Sequence, residues 1–201
     1  MPTTPRRRRA DRRDELIGIA TRLIARNGAR GTTLADIARE ADVAQATVVY
    51  HFGTKEGLLH AVLDGRDSFE DGLLWRFGQD PGMKIFDIIA EIVAGWSEHP
   101  EIVGLLSVLI AENIGDDDSL RSRLAGNYRV TVDRIATTLR SAQARGEMRS
   151  DVDPTAKAIE MLAFLSGLEL AWLVSSDIPA TETAAAWAAQ QRAQLASPPR
   201  G

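Results

Sequence analysis

The sequence predicts an all-α fold, and three observations support this prediction. Apolar residues recur at the three- and four-residue spacing of a helix face, helix-stopping residues separate these stretches, and no stretch alternates like a strand. The 201 residues, 44% hydrophobic and 26% charged, are enough for one large core or for a small folded domain joined to a larger one. We expect about nine helices, three in an N-terminal domain and the rest in a larger helical bundle.

The first two helices are predicted from an apolar stripe and a capping box. The first spans Asp14–Asn27 and ends at Gly28, and the second begins after Thr33, which caps it together with Asp36. The buried face of the first helix consists of Leu16, Ile19, Ala20, Leu23 and Ile24.

The third predicted helix runs from Gln45 to Phe52, with Val48 and Phe52 as its buried pair. Thr54 can cap a fourth helix that begins at Lys55. Two short helices joined by a tight turn behind a supporting helix form a helix-turn-helix candidate.

The outer face of the third helix carries side chains that can read DNA bases. It presents Gln45, Ala46, Val49 and Tyr50. Gln can bond two edge atoms of adenine, Ala and Val can contact a thymine methyl, and Tyr can stack or reach a phosphate. Nearby side chains that can hold phosphate oxygens are Thr32, Thr33, Thr47, His51 and Lys55.

From Arg13 to Leu63 the sequence resembles the TetR family of bacterial transcriptional repressors. The resemblance rests on Leu16, Ala20, Gly28, Thr32 to Ala38, Val43, Thr47-Val48, Tyr50-His51-Phe52, Lys55-Glu56 and Leu58-Leu59. It implies that Thr33, Tyr50 and Lys55 contact DNA. Three residues depart from the family pattern, since Asp42 replaces a turn Gly, Ala44 a capping Ser and Val49 a phosphate-contacting Tyr.

The net charge of −4 conceals two parts of opposite sign. Residues 1–60 contain 11 Lys and Arg against 7 Asp and Glu, whereas residues 61–201 contain 13 against 21. The excess of positive charge in residues 1–60 favours binding to the phosphate backbone of DNA. The run Arg6–Arg9 can enter the minor groove or remain a solvated tail. With the resemblance, this predicts a basic disordered arm (1–10), a helix-turn-helix domain (11–60) and a helical ligand-binding and dimerisation domain (61–197).

Two helices near the C-terminus are predicted to form a dimer interface. The stretch Asp153–Val174 carries small and apolar residues, and the helix Thr183–Leu195 is rich in alanine. Paired across a two-fold axis, they would form the four-helix interface that the resemblance implies. The same stripe could instead be an intramolecular core.

The resemblance also implies an effector pocket in the acidic part. Its candidate lining residues are Trp75, Phe77, Phe86, Trp96, Glu112 and Tyr128. Plain core packing is the more common role of such aromatic residues, and Glu112 could instead lie at a frayed, hydrated helix end.

The residues and the resemblance together imply a transcriptional regulator: a repressor that binds a palindromic double-stranded operator as a homodimer and is released by a small-molecule effector. The alternative is a helical protein-interaction module that does not bind DNA. The chain has no Cys and shows none of the common catalytic, metal-binding or nucleotide-binding motifs, so we expect no enzyme, cofactor or metal. No apolar run reaches the roughly 18 residues of a membrane span, and we expect a cytoplasmic protein.

Overall fold

The computed structural model describes residues 5–75, 80–98, 100–113 and 119–197, with no description of the side chains of residues 5–10, 66–75 and 101. Its helices are α1 (Pro5–Gly31), α2 (Leu34–Glu40), α3 (Gln45–Phe52), α4 (Lys55–Trp75), α5 (Ile85–Ala94), α6 (Pro100–Val103), α7 (Leu105–Asn113), α8 (Ser119–Ala144), α9 (Pro154–Val174) and α10 (Ala180–Leu195). Short 3-10 helices cover Gly82–Lys84 and Trp96–Glu98. The all-α prediction is confirmed, since these ranges contain no strand beyond one isolated bridge between Met148 and Ala196.

The backbone divides into two compact units. The first unit comprises Met1–Asp71 and Glu101–Ser122, and the second comprises Gly72–Pro100 and Arg123–Gly201. The first unit therefore contains α7 as well as the helices of the helix-turn-helix candidate. Within it, α7 packs against α1.

The core of the first unit is built from the apolar faces predicted for its short helices. Leu16, Ala20 and Ile24 of α1 are buried together with Ile37 of α2 and Val48 of α3. Phe52 is only half-buried, and the Arg13 guanidinium lies 5.5 Å from the centre of its ring. Burial of one face of each short helix leaves the opposite face of α3 in solvent.

The helix break predicted at Gly28 is confirmed, but one more helical turn follows it. Helical backbone continues to Gly31, but it is interrupted at Gly28, where φ is 78° and ψ is 161°. Glycine has no Cβ and adopts this positive φ without steric cost, so one further turn can follow the break. Helical backbone also begins at Pro5, within the stretch for which we expected a disordered arm, while residues 1–4 lie outside the described residues.

The turn between α2 and α3 contains two of the departures from the family pattern. Asp42 has φ of 50° and is the one non-glycine residue with positive φ in the described part of the chain. Ala44 occupies the N-cap of α3 and makes no side-chain capping hydrogen bond. Asp42 thus has the positive φ that suits the glycine of the family pattern, and Ala44 has the N-cap position that suits its serine.

Aromatic and aliphatic side chains form the core of the second unit. Phe86, Leu139, Met148 and Met161 are buried in one cluster. Beside it, the rings of Phe164 and Trp187 stack with centroids 4.2 Å apart. In the sequence, Asp153 directly precedes Pro154, a pair that predicts a helix cap followed by the first helical residue. The structure confirms this cap of α9, because the Asp153 carboxylate accepts hydrogen bonds from the N–H groups of Thr155 and Ala156.

A charged cluster fixes the turn after α8 in the second unit. The Arg145 guanidinium donates to the carboxylates of Asp80 and Glu147. These hydrogen bonds lower the pKa of both carboxyl groups below their ordinary values.

None of the helices in the described residues is long and apolar enough to cross a membrane.

Candidate nucleic-acid interface

The outer face of α3 presents the four residues predicted to read DNA bases. Gln45 and Ala46 are exposed, Val49 is 41% exposed and Tyr50 is 64% exposed, whereas Val48 is fully buried. Residues four apart lie on the same side of a helix, so Gln45 lies beside Val49, and Ala46 beside Tyr50. The structure thus gathers one hydrogen-bonding amide, two small apolar groups and one phenol on a single face of one helix.

The ends of α3 determine how far this face extends. Gly53, at φ 72°, ends the helix, and its N–H donates to the Val49 carbonyl over 2.7 Å. Thr47 and His51 are half-buried at the sides of the face, and the His51 ring makes an edge contact with the Tyr50 ring at 5.4 Å. Both are therefore close to the four base-reading candidates.

Thr33 and Asp36 form the predicted capping box at the start of α2. The Asp36 N–H donates to the Thr33 hydroxyl over 3.1 Å, and the Thr33 N–H donates to the Asp36 carboxylate over 3.0 Å. Hydrogen bonds from the Thr33 hydroxyl, the Thr33 N–H and Arg39 lower the pKa of Asp36 to about 2. The capping box leaves Thr33 exposed at a helix N-terminus, where backbone N–H groups favour an anion.

Thr32 has an internal role, not the phosphate-facing position that we predicted. Its side chain is only 2% exposed, and its hydroxyl donates to the Gly28 carbonyl over 2.8 Å. The sequence pattern did not predict this difference, because Thr32 and Thr33 are adjacent and chemically alike. Their environments differ because the Thr32 hydroxyl bonds to the Gly28 carbonyl at the helix break.

Lys55 lies at the N-terminus of α4, directly after the turn that ends α3. Its ammonium group donates to the Arg30 carbonyl over 3.3 Å, and its side chain is half-buried. The preceding Thr54 caps α4, since its hydroxyl accepts the Gly57 N–H over 3.0 Å. This arrangement holds the Lys55 ammonium group beside the segment between α1 and α2.

The candidate pocket residues do not form one set in the described structure. Phe86 is part of the hydrophobic core of the second unit, Trp96 is buried with its ring 5.7 Å from that of Trp172, and Tyr128 is 45% exposed. The Trp75 side chain and all of Phe77 lie outside the described residues. Core packing, the alternative that we left open, accounts for Phe86.

Glu112 has a position that sequence reasoning missed. Its carboxylate accepts hydrogen bonds from the N–H groups of Ala29 and Arg30, which follow the helix break in α1. These partners are more than 80 residues away in the sequence, and no local pattern indicates the contact. The predicted role as a polar anchor of an effector pocket does not fit a carboxylate already bound to backbone amides.

Helices α9 and α10 expose part of the stretches predicted to form a dimer interface, while Leu162 and Leu165 of α9 pack against core clusters of the second unit. Ile159, Ala163, Leu170 and Val174 form an exposed stripe along α9 at helical spacing. On α10 the exposed residues include several alanines: Ala185, Ala186, Ala189 and Ala193. An apolar stripe of this length is unusual on the surface of a monomer.

Groups of acidic or histidine side chains that could hold a metal ion do not occur in the described ranges.

A helix-turn-helix with an exposed, mixed polar and apolar second helix is the arrangement of the helix-turn-helix class of DNA-binding proteins. The family model "Bacterial regulatory proteins, tetR family" matches residues 16–62, and the model "BetI-type transcriptional repressor, C-terminal" matches residues 88–196. The chain belongs to the TetR family and is a DNA-binding transcriptional regulator, which confirms the resemblance drawn from the sequence.

Individual relatives agree with this assignment. The HTH-type transcriptional regulator TtgR of Pseudomonas putida is 26% identical over 171 residues, which cover 82% of this chain and 81% of TtgR. The HTH-type transcriptional repressor KstR2 of Mycolicibacterium smegmatis is 37% identical over 78 residues, which cover 39% of this chain and only 35% of KstR2.

The fold also matches a solved structure. A TetR transcriptional regulator from Chloroflexus aurantiacus superposes with a TM-score of 0.79 at 21% identity, covering 94% of this chain and 98% of that chain. At this level of identity the likeness establishes the shared fold alone.

Proposed function

We propose that the chain is a repressor that reads a palindromic operator as a homodimer, with α3 in the major groove. The observation that supports this most directly is the face of α3, where Tyr50 is 64% exposed and Val48 is fully buried. Gln45 would bond an adenine edge, and Ala46 and Val49 would contact thymine methyl groups. Thr33, Thr47, His51 and Lys55 would hold phosphates beside the groove.

The exposed apolar stripe of α9 supports the homodimer. A helix with large exposed apolar residues such as Leu170 and Val174 gains free energy when a second copy covers it. A two-fold dimer also presents two recognition helices, so the operator would be an inverted repeat with half-site centres roughly 34–36 Å apart.

The experiment that tests DNA reading is selection from a random double-stranded DNA library by the wild-type chain, followed by sequencing. We expect enriched duplexes that share an inverted repeat and that repress a reporter gene when placed in its promoter. Enrichment of no sequence would favour the alternative of a helical protein-interaction module. A regulator that reads chromosomal DNA would act in the bacterial cytoplasm.

We further propose that a small molecule bound by the second unit releases the operator. The coupling of two equilibria is reciprocal, so an effector that weakens operator binding must itself bind more weakly to the operator complex by the same factor. A compound screen by thermal shift supplies candidate effectors. The selected duplex should lower the affinity of each genuine effector, and a compound whose affinity is unchanged by the duplex does not act in this way.

A further inference from the structure

The segment between α1 and α2 is held by a residue that lies far away in the sequence. After the break at Gly28, the Ala29 N–H donates to the Glu112 carboxylate over 2.6 Å, and the Arg30 N–H donates to the same oxygen over 3.3 Å. A non-helical residue interrupts the regular bonding of the helix, and N–H groups that follow such a break need acceptors. Glu112, at the C-terminal end of α7, supplies one.

The local geometry leaves room for this contact only because residue 28 is glycine. A Cβ at this position would overlap with Glu112 Oε1. The positive φ of 78° independently disfavours any other residue. The backbone conformation therefore favours glycine at this position, and a Cβ there would displace the Glu112 carboxylate.

The same short segment makes hydrogen bonds on both sides of the helix-turn-helix, before α2 and after α3. The Gly28 carbonyl accepts the Thr32 hydroxyl, directly before the Thr33 cap of α2. The Arg30 carbonyl accepts the Lys55 ammonium group at the start of α4. Since α3 lies between these two points in the chain, the position of residues 28–30 influences the elements on either side of it.

We infer that Glu112 is a positioning residue for DNA binding: from α7 it fixes residues 28–30 and, through them, Thr33 and Lys55. Hydrogen bonds between an ionised carboxylate and backbone N–H groups are about twice as strong as neutral ones, so this contact can determine the conformation of a short segment. The inference rests on the proposed function for its effect on DNA, but the contact itself can be tested without DNA.

The first test is amide hydrogen exchange by nuclear magnetic resonance on the full chain. In Glu112→Ala, exchange of the Ala29 and Arg30 amides should accelerate at least tenfold, because they lose their acceptor. Asn113→Ala is the matched control, since the Asn113 side-chain amide donates to the Leu109 carbonyl of its own helix. It should leave the Ala29 and Arg30 amides unchanged.

The second test is operator affinity, measured by fluorescence anisotropy on the duplex that the wild-type chain selects. Glu112→Ala should weaken binding at least tenfold, and Glu112→Gln, which keeps the size and one acceptor oxygen, should restore part of the loss. Gly28→Ala should also weaken binding, because its Cβ displaces the carboxylate and its backbone is strained at positive φ. If Glu112→Ala does not fold, Glu112→Gln still provides the comparison, since it keeps the size of the side chain.

Unchanged exchange at Ala29 and Arg30 in Glu112→Ala would overturn the inference. So would accelerated exchange with full operator affinity, or an equal loss of affinity in Asn113→Ala. If the wild-type chain selects no duplex, the proposed function fails, and the exchange measurement separately decides whether Glu112 positions the segment.

Discussion

At the scale of single residues, the helix-turn-helix contains two residues that are not the most stable choice for their backbone positions. Asp42 adopts φ of 50° in the turn, a conformation that costs most non-glycine residues about 1–2 kcal/mol and costs Asp less. Ala44 leaves the N-terminal N–H groups of α3 without a side-chain acceptor. Both positions therefore leave room for stabilising substitutions.

Ala44→Ser should raise the free energy of unfolding by about 1 kcal/mol. Ala44 already has the extended backbone of an N-cap, with φ −66° and ψ 142°, so a serine hydroxyl can accept an N–H of the first turn without rearrangement. Urea denaturation measures the change. Ala46→Ser, inside the same helix, serves as control and should lower stability by about 0.5 kcal/mol through helix propensity. Equal effects of the two substitutions would contradict the assigned N-cap.

The capping box of α2 should persist into strongly acidic solution. The pKa of Asp36 is about 2 in the folded state and 3.8 without its partners, so the unfolded chain takes up the proton first as pH falls. The contribution of Asp36 to stability is therefore complete above pH 3.8 and is lost as pH falls through about 2. A carboxyl titration by nuclear magnetic resonance should give a midpoint near 2, and Thr33→Ala should raise it. A midpoint near 3.8 in the wild type would show that the box does not form in solution.

At the scale of helices, α9 shows how one helix can serve both a core and a surface. Met161 and Leu168 are buried within the second unit, while Leu170 is 59% exposed. The buried residues account for the folding of α9, and the exposed stripe is what we propose a second copy covers.

Leu170→Glu should convert the proposed dimer to a monomer, because it places two charges in a desolvated two-fold interface. Helix content should remain unchanged, since the side chain is exposed within the chain. Light scattering at micromolar concentration measures the mass. Val130→Glu, at an exposed position of α8, is the matched control and should leave the dimer intact. A monomeric wild type, or dissociation by both substitutions, would contradict the assignment of the interface to α9.

The sequence was informative wherever local pattern determines structure. The face of α3, the capping box at Thr33 and the Asp153 cap follow from helical spacing and short-range hydrogen bonds, and the structure confirms all three. The contact between Glu112 and α1 depends on two helices that meet across more than 80 residues, and no local signal encodes it. The burial of Thr32 could not be predicted for the same reason, because it depends on the helix break at Gly28 and on the residues that pack there.

At the scale of the whole molecule, charge is divided between a basic N-terminal part and an acidic remainder. Residues 1–60 carry an excess of positive charge, although the whole chain has a net charge of −4. Phosphate contacts should therefore come from the N-terminal part alone, and salt should weaken operator binding through those contacts.

Lys55→Ala should reduce the steepness of the log–log dependence of operator affinity on salt by about 0.9 for each phosphate that the lysine neutralises in the wild type. The decrease in affinity should be similar for the selected duplex and for an unrelated duplex, because phosphates carry no sequence information. Anisotropy titrations at several salt concentrations measure the slope. Arg129→Ala, on α8, removes the same charge from the acidic part and should not change the slope. A reduced slope in Arg129→Ala would show that the acidic part also binds DNA.

The central claim is that the exposed face of α3 reads DNA, and Tyr50→Ala tests it most directly. Operator affinity, measured by fluorescence anisotropy, should fall about a hundredfold, which corresponds to the loss of about 1.4 kcal/mol of binding free energy from each of two subunits. The melting temperature should stay within about 2 °C of the wild type, because the substitution is at an exposed position. Tyr128→Ala, the same change at the other tyrosine, should leave affinity unchanged. Full operator affinity in Tyr50→Ala, or a large fall in its melting temperature, would contradict the claim.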